Sequence, residues 1–214
     1  MSGSASRLES EWLKDTARFA SPAAGNVFGD ILDRHAEPHR RYHGPEHLVA
    51  LFDLLDRHAP HIVPGSAPRL AIWWRDAVYD PTRKDNEERS SDLAGRRLAE
   101  LHLHTALLEQ VCQLIEATKN HWDGPPMGDG DHFLDADIAI LGAPLAVYDA
   151  YAAGVRTEYI WAPEPAYRVG RAAFLSGAIA RPRLFRTDAF QDAYGAQALT
   201  NMRRELASLA GPSP

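Results

Sequence analysis

The sequence has almost no cysteine and no long apolar run. Its one cysteine, Cys112, lies in the apolar segment VCQLI and is interpreted as a small core residue. A single cysteine excludes a framework of internal disulfide bonds. No apolar run reaches the length of a membrane span, and the N-terminus MSGSASRLESEW is too polar for a signal peptide. We therefore expect a cytoplasmic protein without a membrane partner.

Excess positive charge is also missing. The chain carries 23 Lys and Arg against 29 Asp and Glu, a formal net charge of −6, which argues against nucleic acid as a partner. No segment shows a convincing strand-like alternation, and no repeat or long linker divides the chain. We predict a single domain over residues 1–214, with its core at about residues 12–206.

Helical periodicity runs through nearly the whole chain. The pattern SRLE, beginning at Ser6, has the form of a capping box, and Pro45 opens the helical segment HLVALFDLLDRH. The segment RLAIWWRDAVYD, residues 69–80, predicts a further helix. The segment DHFLDADIAILG predicts a short buried helix with Gly142 as its C-cap. The predicted fold is all-α, with about ten helices.

Two segments carry histidines that are candidates for a site. RRYHGPEH places His43 before a proline-initiated helix and His47 in its first turn, so that both can face one cavity. Two surface histidines beside a turn are the alternative. ATKNH places Lys119 and His121 where an apolar helix ends, which the helix dipole alone would also favour.

Two further segments carry aspartates among apolar residues. Asp76 and Asp80 are four residues apart, on one face of the predicted helix. Carboxylates in such surroundings are costly to bury unless they are paired, hydrogen-bonded or bound to a metal. Asp137, more than Asp135, is expected to face inward. Histidines and aspartates converging from several helices suit a divalent metal ion, although no spacing is specific by itself.

Seven motifs, in order along the chain, resemble one family. They are RxYHxxxH, WxxDxVYDP, NEExS, IxxTxxH, LDADxAILG, VRxEY and YxxGRxxxL. Together they are similar to the bacterial predicted metal-dependent phosphohydrolases of the HD superfamily, over nearly the whole chain. The resemblance implies an HD-like helical bundle with a divalent metal (Mn, Fe, Ni, Zn or Mg). It implies His47, Asp76 and Asp137 as ligands, with His121 as a further candidate.

The resemblance also implies catalytic roles and a substrate class. YHGPEH is similar to the YHNxxH segment of cyclic-nucleotide phosphodiesterases, which makes His43 the general acid. Asp80 stands where HD enzymes that hydrolyse alarmone nucleotides keep an acidic residue to orient the attacking water. The implied activity is hydrolysis of a nucleotide or other small phosphoester by metal-activated water.

Several cations are candidate contacts for the phosphate of such a ligand. They are Arg41, Lys119 and Arg171, because guanidinium and ammonium groups complement phosphate oxygens. Solvated charges, or structural ion pairs with Glu158 or Glu164, are the alternative for these three.

Arg75 departs from the family at the histidine of the His-Asp pair. A guanidinium has no lone pair and stays protonated, so Arg75 cannot be a metal ligand. Either it fills the place of the metal between Asp76 and Asp137, or it swings away and leaves a weaker metal site. The first case favours a catalytically degenerate protein in which Arg75 helps to bind a phosphorylated ligand or a protein partner. The second favours a phosphohydrolase. The apolar final helices leave room for a homodimer.

Overall fold

The computed structural model describes residues 2–211, which form ten α-helices and two 3-10 turns and contain no strand. The all-α class predicted from the sequence is confirmed. The helices, numbered α1 to α10 in chain order, are Ser2–Thr16, Ala24–His35, Pro45–His58, Ala67–Trp74, Asn86–Glu100, Thr105–Ala117, Gly130–Ile138, Leu145–Glu158, Glu164–Ile179 and Asp188–Ala210. The 3-10 turns, Thr118–Asn120 and Ala139–Gly142, follow α6 and α7.

Helix α4 is the centre of the packing. All of its residues are buried, and it contacts α3, α5, α6 and α7. A short helix that is apolar on every side, as this one nearly is, requires neighbours all round. Its two tryptophans are fully buried, and Nε1 of Trp73 donates to Oδ2 of Asp15 at 2.9 Å. The segment that follows α4 therefore starts deep inside the molecule.

A buried arginine also joins α4 to α1. The Arg69 guanidinium donates to Asp15 at 2.9 Å and to Asp56 at 2.9 Å, and it pairs with Glu11. Glu11, Asp15 and Arg69 are nearly inaccessible to solvent. These hydrogen-bonded ion pairs offset the free-energy cost of burying the charge of Arg69 in the core.

Three helix boundaries differ from the sequence predictions. Helix α7 ends at Ile138, and Gly142 belongs to the 3-10 turn that follows instead of capping the helix. Helix α1 begins at Ser2, so that Ser6 lies inside it and does not cap it. Helix α4 ends at Trp74 rather than at Asp80. The backbone leaves the helical region at Arg75, where ψ is 128°, and Asp76 follows with φ of +58°. A left-handed residue cannot continue a right-handed helix.

Gly142 marks a close approach between two elements. A Cβ atom at this position would lie 2.5 Å from the carbonyl oxygen of Tyr194, so α10 packs directly on the turn Ala139–Gly142. Within residues 2–211 no single helix is long and apolar enough to cross a membrane, whereas the pair Gly130–Gly142 and Leu145–Glu158, bent by 102°, meets that test by length and composition alone.

Candidate functional site

The chain bends at Arg75 and Asp76. Aspartate tolerates the left-handed conformation of this bend better than most residues do. Arg40 holds the bend in place, because its Nη1 donates to the carbonyl oxygen of Asp76 at 2.6 Å and to that of His43 at 3.2 Å. The bend brings the side chain of Arg75 against His47 of α3 and Asp137 of α7, and that of Asp76 against Arg75.

The guanidinium of Arg75 lies among the residues expected to bind metal. Its Nη1 donates to Nε2 of His47 at 3.0 Å and forms an ion pair with Asp76. Its Nε lies 2.8 Å from Oδ1 of Asp137, although this ion pair lacks the alignment of a hydrogen bond. One permanent cation thus contacts two carboxylates and one imidazole.

These contacts assign the protonation of His47. Its Nε2 lies 3.0 Å from Arg75 Nη1 and 3.3 Å from Asp137 Oδ1, and it cannot accept from the first and donate to the second in one state. A guanidinium only donates, so the shorter contact makes Nε2 an acceptor and leaves the ring proton on Nδ1. Burial lowers the pKa of His47, and the charge of Arg75 lowers it further, in agreement with a neutral ring.

Asp137 is the buried acceptor of the cluster. Its Oδ2 accepts from Nε2 of His121 at 2.5 Å. Burial raises the pKa of Asp137, but the Arg75 guanidinium and the His121 hydrogen bond outweigh burial and hold this pKa well below its ordinary value. Asp135 points elsewhere and accepts from two backbone N–H groups before α10, each at 2.7 Å. Both aspartates are buried, so burial does not separate them, but Asp137 is the one that contacts Arg75 and His121.

A metal ion does not fit this arrangement. The Arg75 guanidinium lies in the lone-pair direction of His47 and contacts one oxygen of each carboxylate, where a metal ion would have to bind. Within the described residues, no three histidine, cysteine or carboxylate ligand atoms of this cluster all lie within 4.8 Å of one another. The four expected ligands do come together, but Arg75 forms ion pairs with the two carboxylates among them. These ligands are His47, Asp76, His121 and Asp137.

A second buried carboxylate, Glu158, orients His43. Oε1 of Glu158 accepts from the backbone N–H groups of Arg41, Tyr42 and His43 at 2.7, 2.8 and 3.1 Å. Its Oε2 lies 2.7 Å from Nδ1 of His43 and accepts from the Tyr79 hydroxyl at 2.9 Å. Although burial raises the pKa of Glu158, these hydrogen bonds, that of His43 first, lower it below its ordinary value.

His43 presents its other nitrogen to the cluster. Burial, together with the charge of Arg75, lowers the pKa of His43 to about 4 against the hydrogen bond to Glu158. The ring is neutral at pH 7, and the Glu158 contact fixes its proton on Nδ1. Nε2 then carries a lone pair and lies 3.8 Å from Oδ2 of Asp76.

The cluster forms the polar end of a cleft of about 870 Å³. His43, Arg75, Asp76, His121 and Asp137 all line it, and α8 and α9 supply much of the remaining lining. Most of the remaining lining is apolar or aromatic. The aromatic side chains are Tyr42, Tyr79, Trp122, Tyr151, Tyr159, Trp161, Tyr167 and Phe174. A planar ring and an anionic group would suit such a cleft.

The candidate phosphate contacts divide into three cases. Arg171 lines the cleft but is bound by Glu205 at 2.8 and 3.0 Å. Lys119 lines the cleft, is exposed and pairs with Glu88. The exposed Arg41 side chain is absent from the lining and donates to the carbonyl oxygen of Pro38 at 2.8 Å. Of the three, Lys119 is the one in the cleft whose ion pair is exposed to solvent.

Asp80 is not part of the cluster. It accepts from the backbone N–H of Thr82 at 2.9 Å and from the Thr82 hydroxyl at 2.6 Å, which closes a turn at the surface. The spacing that placed it on one face with Asp76 assumed a continuous helix, and α4 ends before both residues. The structure does not bring Asp80 into the cleft.

Comparison of the chain with protein-family models, with curated proteins and with solved structures finds no match. Two features of the chain's own geometry define the site: the contacts of the Arg75 guanidinium with three side chains, and the hydrogen-bonded pair of His43 and Glu158.

Two residues of the site, Glu158 and Arg181, are not predicted as part of it from the sequence. Glu158 was considered as a partner for an arginine or lysine, whereas it binds His43 and Tyr79. Its signal was the VRxEY motif, in which an acidic residue ends an apolar helix. The half-buried Arg181 lines the cleft, lies 4.8 Å over the ring of Trp122 and pairs with Asp123 at 3.2 Å. No sequence signal separates Arg181 from other surface arginines.

Proposed function

We propose that this chain is a member of the HD superfamily in which Arg75 takes the place of the metal ion. It binds a small phosphorylated molecule, such as a nucleotide, and does not hydrolyse it by a metal-dependent route. The ordered motifs, the all-α fold and the convergence of His47, Asp76 and Asp137 support this proposal. The position of the Arg75 guanidinium among those three side chains carries it.

The chemistry of a guanidinium explains the loss of hydrolysis. Arg75 supplies positive charge to Asp76 and Asp137, as a metal ion would, but it has no vacant orbital with which to bind water. The activated water of the implied mechanism therefore has no source at this position. Asp80, expected to orient that water, lies in a surface turn. The polar cluster then serves as a rigid end wall of the cleft.

The lining of the cleft indicates how a ligand would be held. The aromatic side chains of α8 and α9 offer faces and edges for a planar ring. Lys119 and Arg181 line the same cleft, and their ion pairs with Glu88 and Asp123 are exposed, so an incoming phosphate can compete for them. Such a ligand would sit with its ring among the aromatics and its phosphate near these two cations.

Elemental analysis and ligand binding test the two halves of the proposal. Purified, dialysed protein is expected to hold no stoichiometric manganese, iron or nickel. Trp122 and Trp161 line the cleft, so their fluorescence is expected to change on titration with AMP, ADP or ATP and to change less with adenosine. If none of a panel of nucleotides and small phosphoesters binds, the ligand class is wrong.

The Arg75→His variant tests the exchange of metal for arginine. With added Mn²⁺ or Ni²⁺, this variant is expected to bind metal and to gain phosphoesterase activity that the native protein lacks. Arg83→His is the matched control, because Arg83 is exposed and pairs only with the neighbouring Asp85 among the described residues. Equal metal-dependent activity in the native protein and in Arg75→His would overturn the proposal.

A further inference from the structure

Three ligand-type side chains meet outside the lining of the cleft. His61 lies in the loop between α3 and α4, while Asp129 and His132 belong to the first turn of α7. One ligand atom from each lies within 4.8 Å of the other two, and they form the one such group among residues 2–211. None of the three lines the cleft.

The distances suit a small tetrahedral ion. Nε2 of His61 lies 3.3 Å from Oδ1 of Asp129. Ligand atoms about 2.0–2.1 Å from a tetrahedral zinc ion lie roughly 3.3 Å from one another, so this pair already has the spacing of one tetrahedral edge. The rings of His61 and His132 are 5.3 Å apart and nearly perpendicular, at 77°. Two imidazoles and one carboxylate are a donor set that zinc accepts, with water in the fourth position.

Two of these side chains lack the hydrogen bond that their position would ordinarily give them. Asp129 occupies the N-cap position of α7, yet its carboxylate makes no capping hydrogen bond. Aspartate at an N-cap ordinarily accepts from the backbone of the first turn. Nδ1 of His132 is buried and has no hydrogen-bond partner among the described residues. The ring of Phe190 lies against His132, with centroids 6.5 Å apart, and limits its orientation.

We propose that His61, Asp129 and His132 bind one Zn²⁺ ion. The site is separate from the Arg75 cluster and does not depend on the function proposed for the cleft. It joins the α3–α4 loop to α7, the helix that carries Asp137 toward its other end. An ion at this place cross-links two segments that are distant in sequence, and the stability that it adds to the folded state rises with the logarithm of the free zinc concentration once that exceeds the dissociation constant.

Calorimetric titration with ZnCl2 tests this site on the full chain without an affinity tag. We expect one zinc ion per native chain and a rise of the melting temperature with added zinc. His61→Ala and His132→Ala are each expected to weaken zinc binding by about tenfold or more and to abolish that rise. His61 is exposed, so its variant tests the site even if His132→Ala folds poorly.

Two further variants decide where the zinc binds. His102→Asn removes an exposed histidine outside the site and keeps a residue type that tolerates φ of +60°, so it is expected to bind zinc like the native chain. His121→Ala alters the Arg75 cluster and is also expected to leave zinc binding unchanged. Native affinity in both His61→Ala and His132→Ala would overturn the proposal. So would loss of binding in His121→Ala alone, which would place the ion in the internal cluster.

Discussion

The Nε atom of Arg75 lies 2.8 Å from Oδ1 of Asp137, while the other oxygen of that carboxylate accepts from His121. The Asp137 side chain is almost fully buried, and that of Arg75 is 12% exposed. A buried carboxylate in this position is ionised because a permanent cation is next to it. The stability of the cluster therefore depends on Arg75.

Removal of the Arg75 charge should destabilise the fold. Arg75→Met keeps most of the side-chain length but leaves Asp76 and Asp137 without their cation, and breaking a buried pair in this way costs about 3–5 kcal/mol. Urea unfolding at pH 7 measures the loss. The loss should shrink as the pH falls, because a protonated Asp137 needs no cation. Arg83→Met, which breaks an exposed pair, should unfold like the native chain; an equal loss in both variants would refute the buried role of Arg75.

The carboxylate of Glu158 should be essential for the loop that carries His43. Glu158→Ala leaves three backbone N–H groups of residues 41–43 without their acceptor and frees the Tyr79 hydroxyl. Each unsatisfied buried donor costs about 1–3 kcal/mol, so a loss of roughly 3 kcal/mol or more is expected in urea unfolding. Glu164→Ala removes an exposed glutamate that pairs with Arg156 and is expected to leave stability unchanged. A Glu158→Ala protein of native stability would contradict the geometry.

Buried histidines should make the fold sensitive to mild acid. Burial, with the charge of Arg40, lowers the pKa of His35 to about 3, and that of His43 is about 4. Unfolded histidines take up a proton near pH 6.5, so below that pH the unfolded state binds more protons and the free energy of unfolding falls. Each histidine contributes up to about 1.4 kcal/mol per pH unit between pH 6.5 and its folded pKa.

A variant separates the share of His35 from that of the carboxylates. His35→Asn should show a shallower loss of unfolding free energy between pH 6.5 and 4.5, a window above that in which Asp137 and Glu158 take up protons. His39→Asn, at an exposed position, should keep the native slope. Identical slopes for His35→Asn and the native chain would show that His35 titrates normally in the fold.

Two glycines should respond to alanine in opposite directions. Gly142→Ala places a methyl group 2.5 Å from a backbone oxygen of α10, which cannot move cheaply, so a loss of about 1–3 kcal/mol is expected. Gly177 lies inside α9 with open space around its Cβ position, and Gly177→Ala should stabilise the chain by about 0.5–1 kcal/mol. Thermal unfolding measures both changes. A destabilised Gly177→Ala variant, together with a Gly142→Ala variant of native stability, would contradict the packing described for these two positions.

Hydrophobic periodicity was enough to predict most helices. Helix α3 begins at Pro45, as its first-turn proline indicated, because the residue that fixes the start lies in the helix itself. The end of α4 was not predictable in this way. The apolar pattern continues past Trp74, but Arg40, more than thirty residues earlier in sequence, binds the carbonyl of Asp76 and stabilises a left-handed bend. A boundary set by a distant side chain leaves no local signal.

The candidate site shows the same difference between residues with a local sequence signal and features set by distant contacts. His47, Asp76, His121 and Asp137 could be selected from motif order, and the fold brings them together. Asp80 was selected on helical spacing, which the bend removes. Whether Arg75 fills the place of the metal or swings away depends on distances between segments, which are known only from the folded chain.

Because Arg75 belongs to the polypeptide, the positive charge at the end of the cleft is never absent. A bound metal ion has an occupancy set by supply, by competition among cations and by chelators in its surroundings. The Arg75 guanidinium is present in every folded chain and stays protonated at every physiological pH. The polar end of this cleft is therefore independent of metal starvation or excess, and its electrostatic state is fixed at synthesis.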